Sequence, residues 1–292
     1  MDKIESYLKS DELSHLAEGT KNLHKIVLDV KLRHFCSFDL HPIISELDST
    51  FQGLMPAFVQ YLKNTGCTGK TIQSYITILK QFFKAIGEPI EFTYKLTNAE
   101  KKDTQEKNIN KWFSELDVAL CLHHHFSSNQ LRNKIIVRLL YETGIRVNEL
   151  ANIKLSEINI LERNIKITKS KTQIRYVFIS QDTCSLLKRY LTSLQTGELF
   201  GKENPDRYLL NISSSRIQQI VKKMLIDLGI DECGRGCHTF RHWCATYLFY
   251  AGNMRIEDVA TLLGDTVEMI LSTYLHPTPG MLRKKVSKAW GW

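Results

Sequence analysis

The chain has 292 residues, of which 43% are hydrophobic and 24% charged, values that exclude a fibrous or disordered protein and allow two domains with separate cores. Lysine and arginine outnumber aspartate and glutamate by 39 to 31, which gives a net charge of +8. This basic balance favours a polyanionic partner such as a nucleic acid or an acidic membrane surface.

The sequence also bears on where the protein works. No apolar run approaches the ~20 residues of a membrane span, and the first residues are charged throughout, unlike a signal peptide. The seven cysteines are odd in number and scattered, which indicates free thiols in a reducing compartment. Cys233, Cys237 and His238 cluster, but a zinc site usually has a fourth ligand. We therefore expect a cytoplasmic protein that uses no metal or other cofactor.

The first third of the chain is predicted to be helical. Residues 1–45 carry an apolar stripe at helical spacing and form a helical extension. Residues 46–97 contain two amphipathic helices, predicted at Phe51–Lys63 and Ile72–Ile86. Three lysines are predicted to face outward from the second of these helices: Lys70, Lys80 and Lys84.

A linker and a second domain follow. Residues 98–110 form a polar, charged run without periodic apolar residues, which is typical of a linker. The second domain, at 111–292, begins with Ser114, which can cap a helix together with Asp117 three residues later. A buried helix then ends at a glycine turn, and Arg146 begins the next helix. An arginine at a helix start strengthens an anion site, because unpaired N–H groups and the positive dipole end are already there.

The middle of the second domain is predicted to form a β-hairpin. Residues 164–168 and 175–179 alternate apolar and polar side chains, and the run between them is typical of a turn. Lys169, Lys171 and Arg175 place three positive charges on or beside its tip. Lysines at such a tip are usually only solvated, so the pattern alone does not assign them a ligand.

The carboxy-terminal stretch carries the strongest cluster of polar residues. His238 and Arg241 are three residues apart, which places both on one face of a helical turn. Tyr274 lies on a short last turn before Pro277. Residues 280–292 form an amphipathic helix, which packs either on its own domain or on a neighbouring copy of the chain.

Together these motifs resemble the tyrosine recombinase (phage integrase) family over residues 50–276. The first arginine box of the family resembles TGIRVNEL at 143–150, and its second box is His-x-x-Arg. The family's tyrosine follows the glycine of a Leu-Gly motif by ten residues, a spacing that Gly264 and Tyr274 keep. The resemblance implies a mainly α fold with a small β-hairpin or sheet. A helical core-binding domain at 46–97 would precede a mixed α/β catalytic domain at 111–292.

The resemblance also implies a reaction. The chain would be a site-specific DNA recombinase that cleaves and rejoins DNA through a 3′-phosphotyrosyl intermediate, in integration, excision or resolution of a mobile element. Tyr274 would be the nucleophile, with Arg146 and Arg241 as phosphate ligands. His238 would be the base, and Lys171 would protonate the leaving 5′ oxygen.

Other residues would support this chemistry. Glu149 matches the acidic position of the first arginine box and would orient an arginine, and Lys169 is the alternative to Lys171. Double-stranded DNA would be the partner of a homo-oligomer, expected to be a tetramer on two recombination sites. The side chains expected to contact DNA are Lys70, Lys80, Lys84, Lys169 and Arg175.

One position departs from the family pattern, because Asp265 stands where the family usually has His or Trp. A carboxylate repels a phosphate and donates no hydrogen bond unless it is protonated. Three explanations are open: Asp265 is protonated, it orients Arg146 or Arg241, or His276 or His242 supplies the missing donor. We favour the second, because two nearby cations depress the pKa of a carboxyl.

Two other functions fit parts of the pattern. A type IB topoisomerase-like enzyme uses the same chemistry but relaxes supercoils as a monomer. A non-catalytic DNA-binding protein on a degenerate recombinase scaffold would account for Asp265.

Overall fold

The computed structural model describes residues 3–36, 51–101, 112–169, 174–195, 207–231, 234–275, 277 and 279–291. The chain divides into two compact units, Met1–Gln105 and Glu106–Trp292. The division falls inside the run 98–110 that the sequence predicts as a linker. Within the described ranges, no helix is both long and apolar enough to cross a membrane.

The first unit is helical and has one apolar core. Val27 and Leu28, from the predicted extension, are fully buried with Phe58 and Leu79 of the two following helices. The extension and the predicted core-binding segment therefore share a core. The helices are α1 (Lys3–Leu8), a 3₁₀ turn (Asp11–Leu13), α2 (Glu18–Lys25) continuing as a π-helix (Ile26–Leu32), α3 (Phe51–Asn64) and α4 (Gly69–Ala85).

Helix α4 begins at a threonine cap and carries the three lysines predicted to contact DNA. The side chain of Thr68 accepts a hydrogen bond from the backbone N–H of Thr71 at 3.3 Å. Lys70 and Lys84 are exposed, and Lys80 is half-buried. Their contact with DNA remains a proposal.

The second unit contains helices packed around a small sheet. Its first helix starts with the capping box predicted from the sequence, since Ser114 and Asp117 each accept the other's backbone N–H. The elements are α5 (Glu115–His123), α6 (Gln130–Thr143), α7 (Val147–Ala151), a 3₁₀ turn (Leu155–Glu157), β1 (Ile158–Asn159), β2 (Asn164–Ile167), β3 (Arg175–Phe178), α8 (Gln181–Gln195), α9 (Ser214–Asp227), α10 (Cys237–Tyr250), α11 (Ile256–Leu263), α12 (Val267–Met269) continuing as a π-helix (Ile270–Tyr274), and α13 (Pro279–Trp290).

The sheet is antiparallel in the order β1-β2-β3. Strands β2 and β3 are the predicted hairpin, and the short strand β1 is an addition that the sequence did not indicate. Ile165 of β2 pairs with Val177 of β3, and both are buried. The predicted mainly helical fold with a small sheet is confirmed.

The end of the chain packs on the second unit itself. Met281 of α13 is buried, and Lys284 pairs with Glu115 of α5 at 2.9 Å. Lys285 lies 5.0 Å from the ring centre of Phe249. In this single chain, α13 therefore contacts the second unit of its own chain.

Candidate active site

Arg146 is positioned by the turn between α6 and α7. Gly144 ends α6 in the left-handed region at φ 57°, and a β-carbon there would lie 2.5 Å from the side chain of Leu263. Only glycine avoids this clash, so the turn and α11 are in direct contact. Two residues later the backbone N–H of Arg146 donates to Glu149 at 3.0 Å, and its Nη1 donates to the same carboxylate at 3.1 Å.

Arg241 reaches the same turn from α10. Its side chain is 1% exposed. Nη1 donates to the carbonyl of Gly144 at 2.7 Å, and Nη2 donates to the carbonyl of Leu263 at 2.7 Å. Its Nε is buried and has no hydrogen-bond partner within the part of the chain that the structure describes. The guanidinium is therefore fixed by backbone oxygens, while its Nε–H has no acceptor among the described residues.

Asp265 joins the two arginines. One oxygen accepts a short hydrogen bond from Nη2 of Arg146, and the other accepts from Nη2 of Arg241 at 2.5 Å. Arg146 also donates to the carbonyl of Gly264 at 3.1 Å. The Asp265 side chain is only 12% exposed. Asp265 therefore contacts both arginines at once, which an orienting role would require.

The side chain of Arg175 is buried rather than exposed. It was expected to bind DNA, but its side chain is 3% exposed and pairs with Glu149 through both Nη atoms, at 3.1 and 2.7 Å. Alternation along β3 turns Arg175 to the same buried face as Val177. A buried guanidinium needs an anionic partner, and Glu149 supplies it. Arg175 is therefore corrected from a DNA contact to a buried partner of Glu149.

Glu149 receives hydrogen bonds from Arg146 and Arg175. Burial acts to raise the pKa of its carboxyl, but the hydrogen bonds and positive charge of Arg175, followed by those of Arg146, outweigh burial and hold that pKa below its usual value. Glu149 is therefore ionised at neutral pH.

This depressed pKa predicts an acid-dependent contribution to stability. A carboxyl with a lowered folded-state pKa stabilises the fold above its unfolded pKa of about 4.3, and this contribution is lost as the pH falls through the folded-state pKa. Glu149→Gln should therefore destabilise the protein at about pH 7 and do so less at about pH 3.5, as measured by urea unfolding. An equal loss at both values would show that ionisation of Glu149 does not contribute.

Tyr274 packs against α10 beside Arg241. Its ring centre is 5.2 Å from the Cζ of Arg241 and 4.7 Å from the ring centre of His242. The hydroxyl of Thr246 donates to the backbone carbonyl of Tyr274 at 2.8 Å, which ties the last turn to α10. The Tyr274 side chain is 8% exposed. The Tyr274 ring and the Arg241 guanidinium are thus in contact.

The remaining candidates are placed as follows. His238 is exposed on the first turn of α10, and the histidine whose ring contacts Tyr274 is His242. Lys169 donates to the side chains of Asn152 and Tyr208 at 3.3 and 3.1 Å. Lys171 and His276 lie outside the described residues.

Comparisons with known proteins also indicate a tyrosine recombinase. The model of the phage integrase family matches residues 104–281. A tyrosine recombinase of Thermosipho africanus is 26% identical over 94% of this chain and 95% of its own length. The recombinase XerD of Staphylococcus saprophyticus is 24% identical over 96% of each chain.

Solved structures support the fold. XerH site-specific recombinase, bound to a palindromic difH substrate in a post-cleavage complex, aligns with a TM-score of 0.66 and 19% identity, covering 99% of this chain and 84% of that one. XerA recombinase aligns with a TM-score of 0.53 and 21% identity over 98% of each chain.

Proposed function

This chain belongs to the phage integrase family and is a site-specific DNA recombinase, and we propose that it works by joining Tyr274 to the 3′ phosphate of a cleaved strand. The observation that carries the proposal is the convergence of Arg146 and Arg241 on one carboxylate beside the Tyr274 ring. This convergence of residues far apart in the sequence supports a role for both arginines at one phosphate group.

The two arginines supply the electrostatic part of the reaction. A guanidinium stays charged at any working pH and offers planar, paired donors to phosphate oxygens. Hydrogen bonds to Gly144, Leu263 and Gly264 hold both groups before DNA binds. Donors fixed in advance stabilise the negative charge of a transition state without the cost of reorganisation.

Proton transfers complete the chemistry. The Tyr274 oxygen attacks the scissile phosphorus, and its proton passes to a histidine base, either His238, which the family resemblance implies, or His242, whose ring contacts Tyr274. The bond from phosphorus to the 5′ oxygen breaks, and that oxygen takes a proton from Lys171, which the connection between β2 and β3 carries. A 3′-phosphotyrosyl bond forms, and attack by a second 5′ hydroxyl releases Tyr274 and reseals the strand.

Asp265 has a positioning role in this scheme. Its carboxylate binds the Nη2 atom of each arginine and so fixes the distance between the two guanidiniums. Phosphate oxygens bind the N–H donors that Asp265 does not occupy. Asp265 thus has a function of its own at the position where the family usually has His or Trp.

Replacing Asp265 tests that role. Asp265→Ala should lower the free energy of unfolding by about 3 kcal/mol, because it leaves two largely buried cations without their shared anion. Cleavage should slow in both Asp265→Ala and Asp265→His, as measured in a single-turnover assay. Asp258→Ala removes an exposed aspartate of α11 that pairs with Arg255 and should change neither quantity appreciably. An unchanged cleavage rate in Asp265→His would mean that this position orients nothing.

We also propose that four copies act on two duplex sites, because exchange of both strands at each site requires four phosphotyrosyl bonds. A plasmid with two sites tests recombination against simple relaxation. Recombined circles that carry exchanged flanking sequence support the proposal. Relaxed circles without exchange would instead favour a topoisomerase-like enzyme.

A further inference from the structure

We propose that Arg175 is a positioning residue for DNA cleavage, acting through Glu149 and the Gly264 turn without touching DNA itself. The inference rests on the proposed function of Tyr274, Arg146 and Arg241. Arg175 lies at one end of the ion-pair cluster, defined as Arg146, Glu149, Arg175, Arg241 and Asp265, and is joined to Arg146 through Glu149.

Three nitrogens of Arg175 donate to Glu149 of this cluster and to the neighbouring carbonyl of Leu262. Nε donates to the carbonyl of Leu262 at 2.8 Å, while Nη1 and Nη2 donate to the two oxygens of Glu149. The side chain is 3% exposed. A buried guanidinium whose three nitrogens all donate hydrogen bonds has little freedom to move. Its position therefore constrains the side chains that it contacts.

Glu149 links the two guanidiniums, because it accepts hydrogen bonds from both Arg175 and Arg146. Its Oε1 accepts from Nη1 of Arg175 and Nη1 of Arg146, each at 3.1 Å. Its Oε2 accepts from Nη2 of Arg175 at 2.7 Å and from the backbone N–H of Arg146 at 3.0 Å. Without Arg175, the carboxylate would be free to rotate and pair entirely with Arg146, which would draw that guanidinium away from the phosphate.

Arg175 also contacts the turn at Gly264, which binds Arg146. Gly264 has φ 65°, and a β-carbon on it would lie 2.8 Å from Nη1 of Arg175 and 3.1 Å from its Cζ. The guanidinium therefore packs against the bare Cα of the residue whose carbonyl binds Arg146 and whose neighbour is Asp265. Arg175 thus contacts two of the three residues that bind Arg146, namely Glu149 and Gly264.

The charge of the cluster adds to the effect of its geometry. Three guanidiniums and two carboxylates leave the ion-pair cluster with a net positive charge, which suits it to receive an anionic phosphate. Removing Arg175 makes the cluster neutral and leaves Glu149 with a single cationic neighbour. The effect should reach the chemical step, because Arg146 is displaced in the Michaelis complex as well as in the free protein.

Single-turnover cleavage at saturating DNA tests the proposal with Arg175→Met and Arg175→Lys. Arg175→Met should slow formation of the protein–DNA adduct by about 10²-fold with little change in DNA affinity, because small displacements of positioning groups cost that order of rate. Arg175→Lys keeps the charge but not the paired donors and should recover part of the loss. Leu187→Ala removes a buried side chain of α8 and serves as the matched control for lost stability.

The outcomes separate the two proposals. If the wild-type protein forms the adduct and Arg175→Met forms it as fast, the positioning role is wrong. The positioning role is also wrong if Arg175→Met loses rate only in proportion to its unfolded fraction, as Leu187→Ala does. Absence of the adduct from the wild-type protein would instead overturn the proposed function.

A measurement without DNA tests whether Arg175 sets the environment of Arg146. Arginine side-chain NMR of the full chain reports the environment of the Arg146 Nε–H, assigned by comparison with Arg146→Lys. In Arg175→Met this signal should shift and exchange faster with water, while signals of exposed arginines such as Arg255 stay in place. An unchanged Arg146 signal would overturn the proposal whatever the activity.

Discussion

Replacing Tyr274 by phenylalanine is expected to abolish covalent capture of DNA while leaving DNA binding intact. The change removes only the attacking oxygen, since the Tyr274 ring still packs on His242 and Arg241 and its carbonyl still accepts from Thr246. The cleavage rate should fall by about 10⁴-fold or more, the order observed when an enzyme loses its nucleophile. Capture is measured as radiolabelled DNA that stays attached to the protein through boiling in detergent.

A pool of nicked duplexes with randomised flanks makes this test possible before the target sequence is established. A nick beside the cleavage point releases a short strand and traps the adduct. Tyr247→Phe is the matched control, because Tyr247 is a half-exposed tyrosine of α10. It should capture DNA as the wild-type protein does. Capture by Tyr274→Phe at the wild-type level would assign the nucleophile to another residue.

The second large effect is expected from the two arginines of the site. Arg146→Lys and Arg241→Lys each keep a positive charge but lose the paired donors, so the single-turnover rate should fall by about 10²- to 10³-fold. Arg241 is almost fully buried, so its replacement also threatens the fold. Thermal unfolding measured beside the rate separates lost stability from lost chemistry.

A modified substrate sharpens this test. A methylphosphonate at the scissile position replaces one charged oxygen with a methyl group and so reduces the need for positive charge. The loss caused by Arg146→Lys or Arg241→Lys should then be smaller than on the natural phosphate. An equal loss on both substrates would mean that the arginines support the fold rather than the charge of the transition state.

The parts of the structure that the sequence predicted depend on local rules. Ser114 and Asp117 form their capping box because the motif needs only four consecutive residues. The β2–β3 hairpin follows from alternation on either side of a turn. Helix ends depend on more than apolar periodicity: α6 begins at Gln130, after Asn129, which adopts a left-handed conformation at φ 49°.

The parts that the sequence did not predict depend on contacts between distant residues. Asp265 and Arg146 are 119 positions apart, and the sequence offered their contact only as one of three explanations. The family resemblance implies a DNA contact for Arg175, but its side chain is buried. Its position two residues before Val177 on a strand was the available signal, because side chains at that spacing share a face. In the amino-terminal unit, amphipathic helices predicted buried faces but not that residues before and after position 46 share one core.

The most direct test of the proposed reaction is to identify the amino acid that carries the DNA in the trapped complex. After digestion with protease and nuclease, mass spectrometry should find the residual nucleotide on the peptide that contains Tyr274, attached to the phenol oxygen through a 3′ phosphate. A nucleotide on any other side chain, or a 5′ linkage at Tyr274, would contradict the proposed reaction.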